Sequence, residues 1–243
     1  MRILVAGDLH NRKEWFAWLS TQVAQFDLVA LPGDLLDIFQ PDLPRQRAFV
    51  EEWFAAEAEK GTALAWCSGN HDGGRWFTNR IEGPCWTDRL RFPSVVGDLE
   101  CKEFVSLSGE RFLVSCIPHS EAPTESWESA VESLLTQGWQ KRQELSWCPW
   151  IVLAHNPPVH TAVAATPNDS GGSDHIRLWV ERFQPDYLLS GHLHQAPDLG
   201  SFRAELGQCL CLNPGYVEEA EMPSHITVDT RTKAVLHHRG TAS

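Results

Sequence analysis

The sequence has no long apolar stretch and little positive charge. No apolar run approaches the roughly 20 residues that a membrane-spanning helix needs. The apolar run near the N-terminus, in MRILVAGDLHNRKE, is too short for the h-region of a signal peptide. The formal net charge of −12 argues against non-specific binding to nucleic acid or to an anionic membrane, because both are bound through basic surfaces. These absences predict neither a membrane span nor a nucleic-acid partner.

Paired cysteine motifs are also missing. The 7 Cys are scattered without a CxxC pair, and Cys209 and Cys211 in QCLCLN lack partners at zinc spacing. An odd number of cysteines without a secretory signal indicates reduced thiols. Reduced thiols are typical of the cytoplasm, so the sequence predicts a cytoplasmic protein.

Short apolar strands alternate with amphipathic helices in the first part of the chain. Strands are predicted over 2–7, 27–34 and 62–72, and helices over 11–26 and 43–61. This alternation is typical of βαβ units and predicts a parallel sheet covered on both faces.

The rest of the chain shows further elements but no boundary between domains. A hairpin is predicted over 94–120, helices over 124–145 and 173–183, strands over 149–160 and 186–194, and more strands in the tail. The Gly/Ser-rich segment 166–174 indicates a loop near a site rather than a linker. The sequence therefore predicts one layered α/β domain over 1–243, without a separate cap domain.

Five of the apolar strands end in polar side chains. The five ends are GDLH (7–10), PGD (32–34), GNHD (69–72), AHN (154–156) and GHLH (191–194). In open α/β sheets, ligands bind beyond the carboxyl ends of the strands, and parallel strands bring those ends to one edge. We therefore expect the five polar ends to converge.

The convergent side chains have the chemistry of a metal site. Imidazole, carboxylate and amide oxygen together suit divalent Mn, Fe or Zn. The pairs Asp8/His10 and His192/His194 are each two residues apart, so in extended backbone both members of a pair face one side. A carboxylate has two oxygens and can bridge two ions about 3.5–4 Å apart. Two such ions, two aspartates and a hydroxide leave a charge of about +1, which favours a phosphate substrate.

Each motif alone is a weak signal, but the ordered set is strong. D-x-H (8–10), GD (33–34), GNHD (69–72), His155 before NPP and GH-x-H (191–194) resemble the calcineurin-like metallophosphoesterase superfamily. The resemblance implies a metallophosphatase-type β-sandwich, in which two stacked mixed sheets are flanked by α-helices in four α/β/β/α layers. It also implies a metal-dependent phosphoesterase, either a phosphodiesterase or a phosphomonoesterase, with a metal-bridging hydroxide as the nucleophile.

The resemblance also assigns roles to the matching positions. One ion would be bound by Asp8, His10 and His194. The other would be bound by Asn70, His155 and His192, with Asp34 between the two ions. The implied cofactors are two divalent ions, with Mn²⁺ favoured and Fe, Zn, Mg or Ni as alternatives.

Two neighbouring residues receive catalytic roles. His71 is expected to stabilise or protonate the leaving oxygen of the substrate. Asp72 either orients the His71 imidazole by a hydrogen bond or is only a turn residue, and both alternatives stay open. Asp37, in GDLLD, occupies the position of a Tyr ligand in purple acid phosphatases and is interpreted as a loop carboxylate rather than a group that supports the site.

Two residues outside the metal motifs are candidates for binding the substrate. Arg75 belongs to an Arg- and aromatic-rich segment, 75–92, that either contacts a nucleotide or packs as an ordinary loop. His119 ends another apolar strand and is a candidate pocket residue. The expected partner is a small phosphate ester, a nucleotide among the candidates. The alternatives are a nucleotide pyrophosphohydrolase, a nuclease of the same superfamily and a non-catalytic scaffold, which the complete ligand set disfavours.

Overall fold

The computed structural model describes residues 1–76, 85–146, 148–168 and 171–241. The strands are β1 (Arg2–Val5), β2 (Leu28–Pro32), β3 (Leu64–Cys67), β4 (Val95–Val96), β5 (Cys101–Val105), β6 (Arg111–Ile117), β7 (Trp150–Ala154), β8 (Tyr187–Leu189), β9 (Arg203–Leu206), β10 (Cys209–Leu212), β11 (His225–Asp229) and β12 (Ala234–His238). The α-helices are α1 (Lys13–Gln22), α2 (Leu43–Glu59), α3 (Glu125–Glu144), α4 (Asp174–Phe183) and α5 (Ala196–Leu199).

These strands form two mixed sheets of six strands each. The first sheet has the order β12-β11-β1-β2-β3-β4, and the second has the order β5-β6-β7-β8-β10-β9. In the first sheet, β1 to β4 are parallel to one another. Strand β11 pairs antiparallel with β1, and β12 pairs antiparallel with β11. In the second sheet, β6, β7, β8 and β10 are parallel, with antiparallel β5 and β9 at the two edges.

The alternation of side chains along the strands builds the four layers. In β1, Ile3 and Val5 join the apolar core between the two sheets, together with residues of the second sheet such as Ile151. Leu4 lies on the other face, in the core formed with α1 and α2, where Trp15 is also buried. An equivalent core joins α3 and α4 to the outer face of the second sheet. The order of the layers is therefore α/β/β/α, as the family resemblance implies.

The sheet of the first part of the chain is covered on both faces, as predicted. Helices cover one face of each sheet, and the other sheet covers the second face. The strand and helix alternation does not indicate which element covers each face, because strands buried on both faces are apolar throughout, whatever element covers them.

The predicted helices and strands are present, and the strands are shorter than predicted. The predicted strand over 62–72 ends at Cys67, so GNHD lies in a loop beyond the strand. Thr124 accepts a hydrogen bond from the backbone N–H of Trp127 and caps α3. Gly61 follows α2 with φ of +77°, a left-handed conformation that glycine adopts without strain.

The two sheets are joined at the edge where the polar strand ends lie. His155 directly follows β7 of the second sheet, and its Nδ1–H donates to the carbonyl of Pro32, the last residue of β2 in the first sheet (2.8 Å). This bond holds the two groups of strand ends together, so that side chains from both sheets face one site.

No helix in the described ranges has the length and apolar character needed to cross a bilayer.

A partly buried carboxyl near this edge gives the fold a predicted pH dependence. Asp98, between β4 and β5, accepts a hydrogen bond from the N–H of Ser68 (2.8 Å). Burial raises the pKa of Asp98 to about 6. A carboxyl with a raised pKa in the folded state binds protons more tightly there, so it contributes less to stability as the pH rises through 4 to 6.

We expect Asp98→Asn to remove this dependence. Partial exposure screens the charge, so the variant should gain about 1–2 kcal/mol of unfolding free energy relative to the native protein between pH 4 and pH 7.5. Urea unfolding of both proteins across this range measures the difference. A difference that does not change with pH would show that the ionised carboxylate is not destabilising.

Candidate metal centre

Four of the predicted ligands form one half of a donor cluster. One ligand atom each from Asp8, His10, Asp34 and His194 lies within 4.8 Å of the other three. The Nε2 atoms of His10 and His194 are 3.3 Å apart, and the His194 Nε2 is 3.4 Å from Asp8 Oδ1. The carboxylates of Asp8 and Asp34 are buried, at 0% and 2% exposure, so bulk water does not solvate their charges.

Three further predicted ligands form the other half of the cluster. Asn70 Oδ1 is 2.8 Å from His155 Nε2 and 2.9 Å from His192 Nδ1. Asp34 Oδ2 is 3.4 Å from His155 Nε2 and 3.9 Å from His10 Nε2, so this oxygen lies between the two halves. The structure therefore brings together all seven predicted ligands, with Asp34 at the centre.

The backbone at the strand ends, and not strand alternation, aims these side chains. Asp8, His10, Asp34 and His192 all have positive φ, at 54°, 44°, 54° and 67°. Asp and His tolerate the left-handed region better than most residues, although the conformation is still unfavourable. The extended backbone that would place Asp8 and His10 on one side does not persist this far, because β1 ends at Val5. They meet through successive left-handed turns.

Two glycines leave the space that the ligands occupy. A Cβ on Gly33, whose φ is +90°, would overlap the imidazole of His155, with its Cγ only 2.7 Å away. A Cβ on Gly69 would lie 2.5 Å from the backbone nitrogen of Asp34 and would overlap its carboxylate. The glycines of the GD and GNHD motifs are thus required by close packing.

The charges in the cluster are strongly coupled. Burial opposes the charged form of His155, but the Asp34 carboxylate prevails and raises the pKa of His155 to about 9. Burial also opposes ionisation of Asp34, yet the His155 charge holds the pKa of Asp34 below its usual range. Burial and the nearby His155 charge lower the pKa of His192 to about 4. Without a metal, one proton on His155 therefore supplies the cation that Asp34 needs.

The arrangement of lone pairs fits divalent ions. Because His155 Nδ1–H donates to the Pro32 carbonyl, Nε2 carries the lone pair in the neutral ring. That nitrogen faces two oxygens, Asn70 Oδ1 and Asp34 Oδ2. At metal–ligand distances of about 2.1 Å, neighbouring donors of an octahedral ion are roughly 3 Å apart, close to the separations in this cluster. Cations would replace the proton and satisfy the converging lone pairs.

His71 lies beside the cluster, with the carboxylate of Asp37 near its ring. The His71 Nδ1 is 3.6 Å from Asp37 Oδ1, and the His71 ring contacts the ring of His10 at a centroid distance of 4.6 Å. The backbone N–H of His71 donates to Asp34 Oδ1 (2.8 Å), which fixes the start of this loop. Asp37 accepts a hydrogen bond from the backbone N–H of Phe39 (2.9 Å), as a loop carboxylate does, and also lies close to His71.

Asp72 has a different position from the one that an orienting role needs. Its two oxygens accept hydrogen bonds from the backbone N–H groups of Leu36 (3.0 Å) and Gly69 (2.8 Å). Burial, with the nearby Asp34 charge, raises the pKa of Asp72 to about 7. This geometry supports the turn alternative, in which Asp72 ties the GD loop to the GNHD loop.

The two substrate-binding candidates lie in different surroundings. Arg75 forms an ion pair with Asp88 (2.6 Å), and Trp86 of the same segment is buried in the core, as the packing alternative predicts. Phe77 and Arg80 of this segment lie outside the described residues. His119 is buried next to the cluster, with its ring centroid 5.5 Å from that of His155.

Sequence reasoning missed two aromatic neighbours of the cluster. The Tyr216 ring contacts the rings of His10 (5.1 Å) and His194 (4.5 Å). Phe39, which is 82% exposed, contacts the edge of His71 at 5.1 Å. The only sequence signal for Tyr216 is the CLNPGY segment after the GH-x-H motif.

The chain matches a known protein family over most of its length. The family model described as calcineurin-like phosphoesterase matches residues 1–196, which contain all seven predicted ligands and His71. No protein with a curated description matches the sequence.

Solved structures share the fold at low sequence identity. TT1561 of Thermus thermophilus superimposes with a TM-score of 0.68 at 17% identity, over 98% of both chains. A dimetal phosphatase from Danio rerio gives 0.54 at 13% identity, over 93% of this chain and 91% of the other. Purple acid phosphatase PPD1 from yellow lupin (Lupinus luteus) seeds gives 0.52 at 13% identity, over 100% of this chain and 52% of the other. These similarities establish a shared fold.

The close packing at Gly33 can be tested against a second left-handed glycine. Gly33→Ala should displace His155, destabilise the protein by about 2–4 kcal/mol and weaken Mn²⁺ binding. Gly109→Ala is the matched control, because Gly109 has φ of +83° but no described atom within 4 Å of its added Cβ. The control should lose only about 1 kcal/mol and keep its affinity for Mn²⁺.

Urea unfolding and calorimetric titration with Mn²⁺ measure both properties. Equal effects of the two alanine substitutions would contradict the packing of Gly33 against His155.

Proposed function

The chain belongs to the calcineurin-like phosphoesterase family, and from this membership we propose that it is a metal-dependent hydrolase of phosphate esters. The observation that carries the proposal is the position of Asp34 Oδ2 between two sets of donor atoms. A single buried carboxylate with nitrogen donors on both sides suits a pair of cations that share one ligand.

The donor set divides into two binding positions. Asp8, His10 and His194 would hold one divalent ion, with Asp34 as the shared ligand. Asn70, His155 and His192 would hold the second. Bound there, two divalent ions would supply positive charge to the phosphoryl oxygens and lower the pKa of water. Mn²⁺ is our choice because nitrogen and oxygen donors without thiolate suit it.

His71 is the proposed general acid for the leaving alcohol. It lies at the edge of the cluster, with 11% of its side chain exposed, so a substrate oxygen can reach it. Its backbone is fixed by Asp34 and its Nδ1 faces Asp37, which leaves Nε2 to face the substrate. A hydrogen bond from Nδ1–H to Asp37, shorter than the separation of 3.6 Å seen here, would make Asp37 a positioning residue that sets the tautomer and orientation of the imidazole.

The alternative functions have less support. A non-catalytic scaffold would not need His71 and all seven ligands arranged around one buried carboxylate. A nuclease or a nucleotide pyrophosphohydrolase would need positive charge for additional phosphates, and the net charge is −12. A small phosphate ester is the partner that this chemistry favours.

The proposal also covers the cellular compartment and the domain organisation. The 7 cysteines are all free, and most are buried, which supports a protein that works in the reducing cytoplasm. The interpretation of 1–243 as one domain without a cap stays a prediction.

The metal requirement gives the direct test of this function. Protein stripped with a chelator should not hydrolyse bis(p-nitrophenyl) phosphate, p-nitrophenyl phosphate or dinucleoside polyphosphates, because the phosphoryl charge has no counter-charge. Addition of Mn²⁺ should restore hydrolysis of at least one of these esters. Hydrolysis that persists in protein shown by elemental analysis to be metal-free would contradict the proposal, as would inactivity with every ion tried.

The role of Asp37 predicts a dependence on the leaving group. Loss of a general acid costs roughly 10²–10⁴-fold, and the loss is largest for alcohols that leave poorly. His71→Ala should therefore slow the hydrolysis of alkyl esters far more than the hydrolysis of p-nitrophenyl esters. Asp37→Asn should show the same pattern with a smaller loss, roughly tenfold for alkyl esters, and unchanged metal content.

Asp42→Asn is the matched control, because Asp42 lies in the same loop and pairs only with exposed Arg45 among its described contacts. It should slow neither class of ester. If Asp37→Asn slows all esters equally, Asp37 has only a structural role.

A further inference from the structure

Two recesses flank the donor cluster, one against each half. The first, which we call the His119 recess, is a cavity of about 260 Å³ lined by His119, Ser120, Glu121, His155, Asn156 and Asp174, among others. The second, which we call the Tyr216 recess, is an open cavity of about 550 Å³ lined by His10, Arg12, Glu14, Asp37, Tyr216 and Glu218, among others. A phosphorus atom held at the cluster would therefore have room for a substituent on either side.

The recesses differ in their position relative to His71. Asp37, the partner of His71, lines the Tyr216 recess, and so does His10, whose ring contacts His71. The alcohol that receives a proton from His71 would lie on this side. The His119 recess adjoins His155 in the other half of the cluster, so it would hold a substituent that stays on the phosphate.

Neither recess offers a spare positive charge to a second anionic group. Among the described residues, no Lys or Arg lines the His119 recess, which contains the carboxylates of Glu121 and Asp174. In the Tyr216 recess, the guanidinium of Arg12 donates to Glu14 (2.7 Å) and stacks over the ring of Trp15. A phosphate monoester carries about −1.5 to −2 at pH 7, whereas a diester carries only one negative charge.

The charges of the His119 recess favour one kind of occupant. Its carboxylates are Asp174 and Glu121, and Glu121 accepts a hydrogen bond from His119 Nε2 (3.1 Å). Two carboxylates attract a cationic group and repel an anionic one. The favoured occupant is therefore a hydroxylated or cationic group.

We propose that the substrate is a phosphodiester whose retained alcohol, uncharged or cationic, occupies the His119 recess. This inference rests on the proposed phosphoesterase function. It separates diesters with an uncharged or cationic retained alcohol from monoesters, nucleic acids and dinucleoside polyphosphates, which the metal chemistry alone does not distinguish.

A series of esters with one common leaving group tests the inference. The probes are p-nitrophenyl phosphate, ethyl p-nitrophenyl phosphate and p-nitrophenyl phosphorylcholine, which differ only in the substituent that stays on phosphorus. With Mn²⁺, kcat/KM should be at least roughly tenfold higher for both diesters than for the monoester, and highest for the choline ester. Calorimetric binding of ethyl phosphate, diethyl phosphate and ethyl phosphorylcholine to His71→Ala, the variant that slows alkyl esters most, should follow the same order.

A charge reversal locates the retained alcohol. Glu121→Lys should reduce the preference for the choline ester over the ethyl ester by roughly fivefold, because one attraction becomes a repulsion. Glu125→Lys is the matched control, since Glu125 is exposed at the start of α3 and does not line either recess. It should change this preference by less than about twofold.

The outcomes separate this inference from the proposed function. Preference for the monoester would overturn the inference and leave a phosphoesterase. Preference for diesters without an effect of Glu121→Lys would overturn the assignment of the His119 recess. Failure to hydrolyse any of the p-nitrophenyl esters, together with failure of His71→Ala to bind the three ethyl esters, would overturn both proposals.

Discussion

The buried carboxylate of Asp34 is the feature on which the rest of the site depends. It is 2% exposed, and its Oδ2 lies between His10 and His155, which follow strands of different sheets. A buried anion in this position is costly unless positive charge surrounds it. One proton on His155 meets that need in the metal-free protein, and two cations would meet it better. The electrostatics of the site are therefore arranged around this one buried carboxylate.

The fold places that carboxylate by bringing two sheets together at one edge. The bond from His155 to the Pro32 carbonyl fixes the ring and joins β7 to β2. Glycine at position 33 lets the ring approach, and left-handed backbone at Asp34 turns the carboxylate towards it. The left-handed backbone at these turns is locally unfavourable, and the apolar core between the sheets offsets its cost. Stability and chemistry thus depend on the same few strand ends.

Much of this site is predictable from the sequence, because polar residues that end apolar strands are conspicuous. The seven donors were predicted from such ends and from the family resemblance, and the structure brings them together. The contact between Asp37 and His71 was not predictable, because it depends on a loop conformation that no periodicity encodes. Strand β9 was missed for a related reason: only Leu206 of its residues is buried, so it lacks an apolar signal. Side-chain directions set by left-handed backbone, as at Asp8, also need the structure.

We expect two cations to share the carboxylate of Asp34, and anomalous diffraction from a crystal soaked in Mn²⁺ measures this directly. Two separate anomalous peaks should appear, one beside His10 and His194 and the other beside His155 and His192, both in contact with the Asp34 carboxylate. A single peak, or two peaks of which only one contacts Asp34, would contradict this expectation.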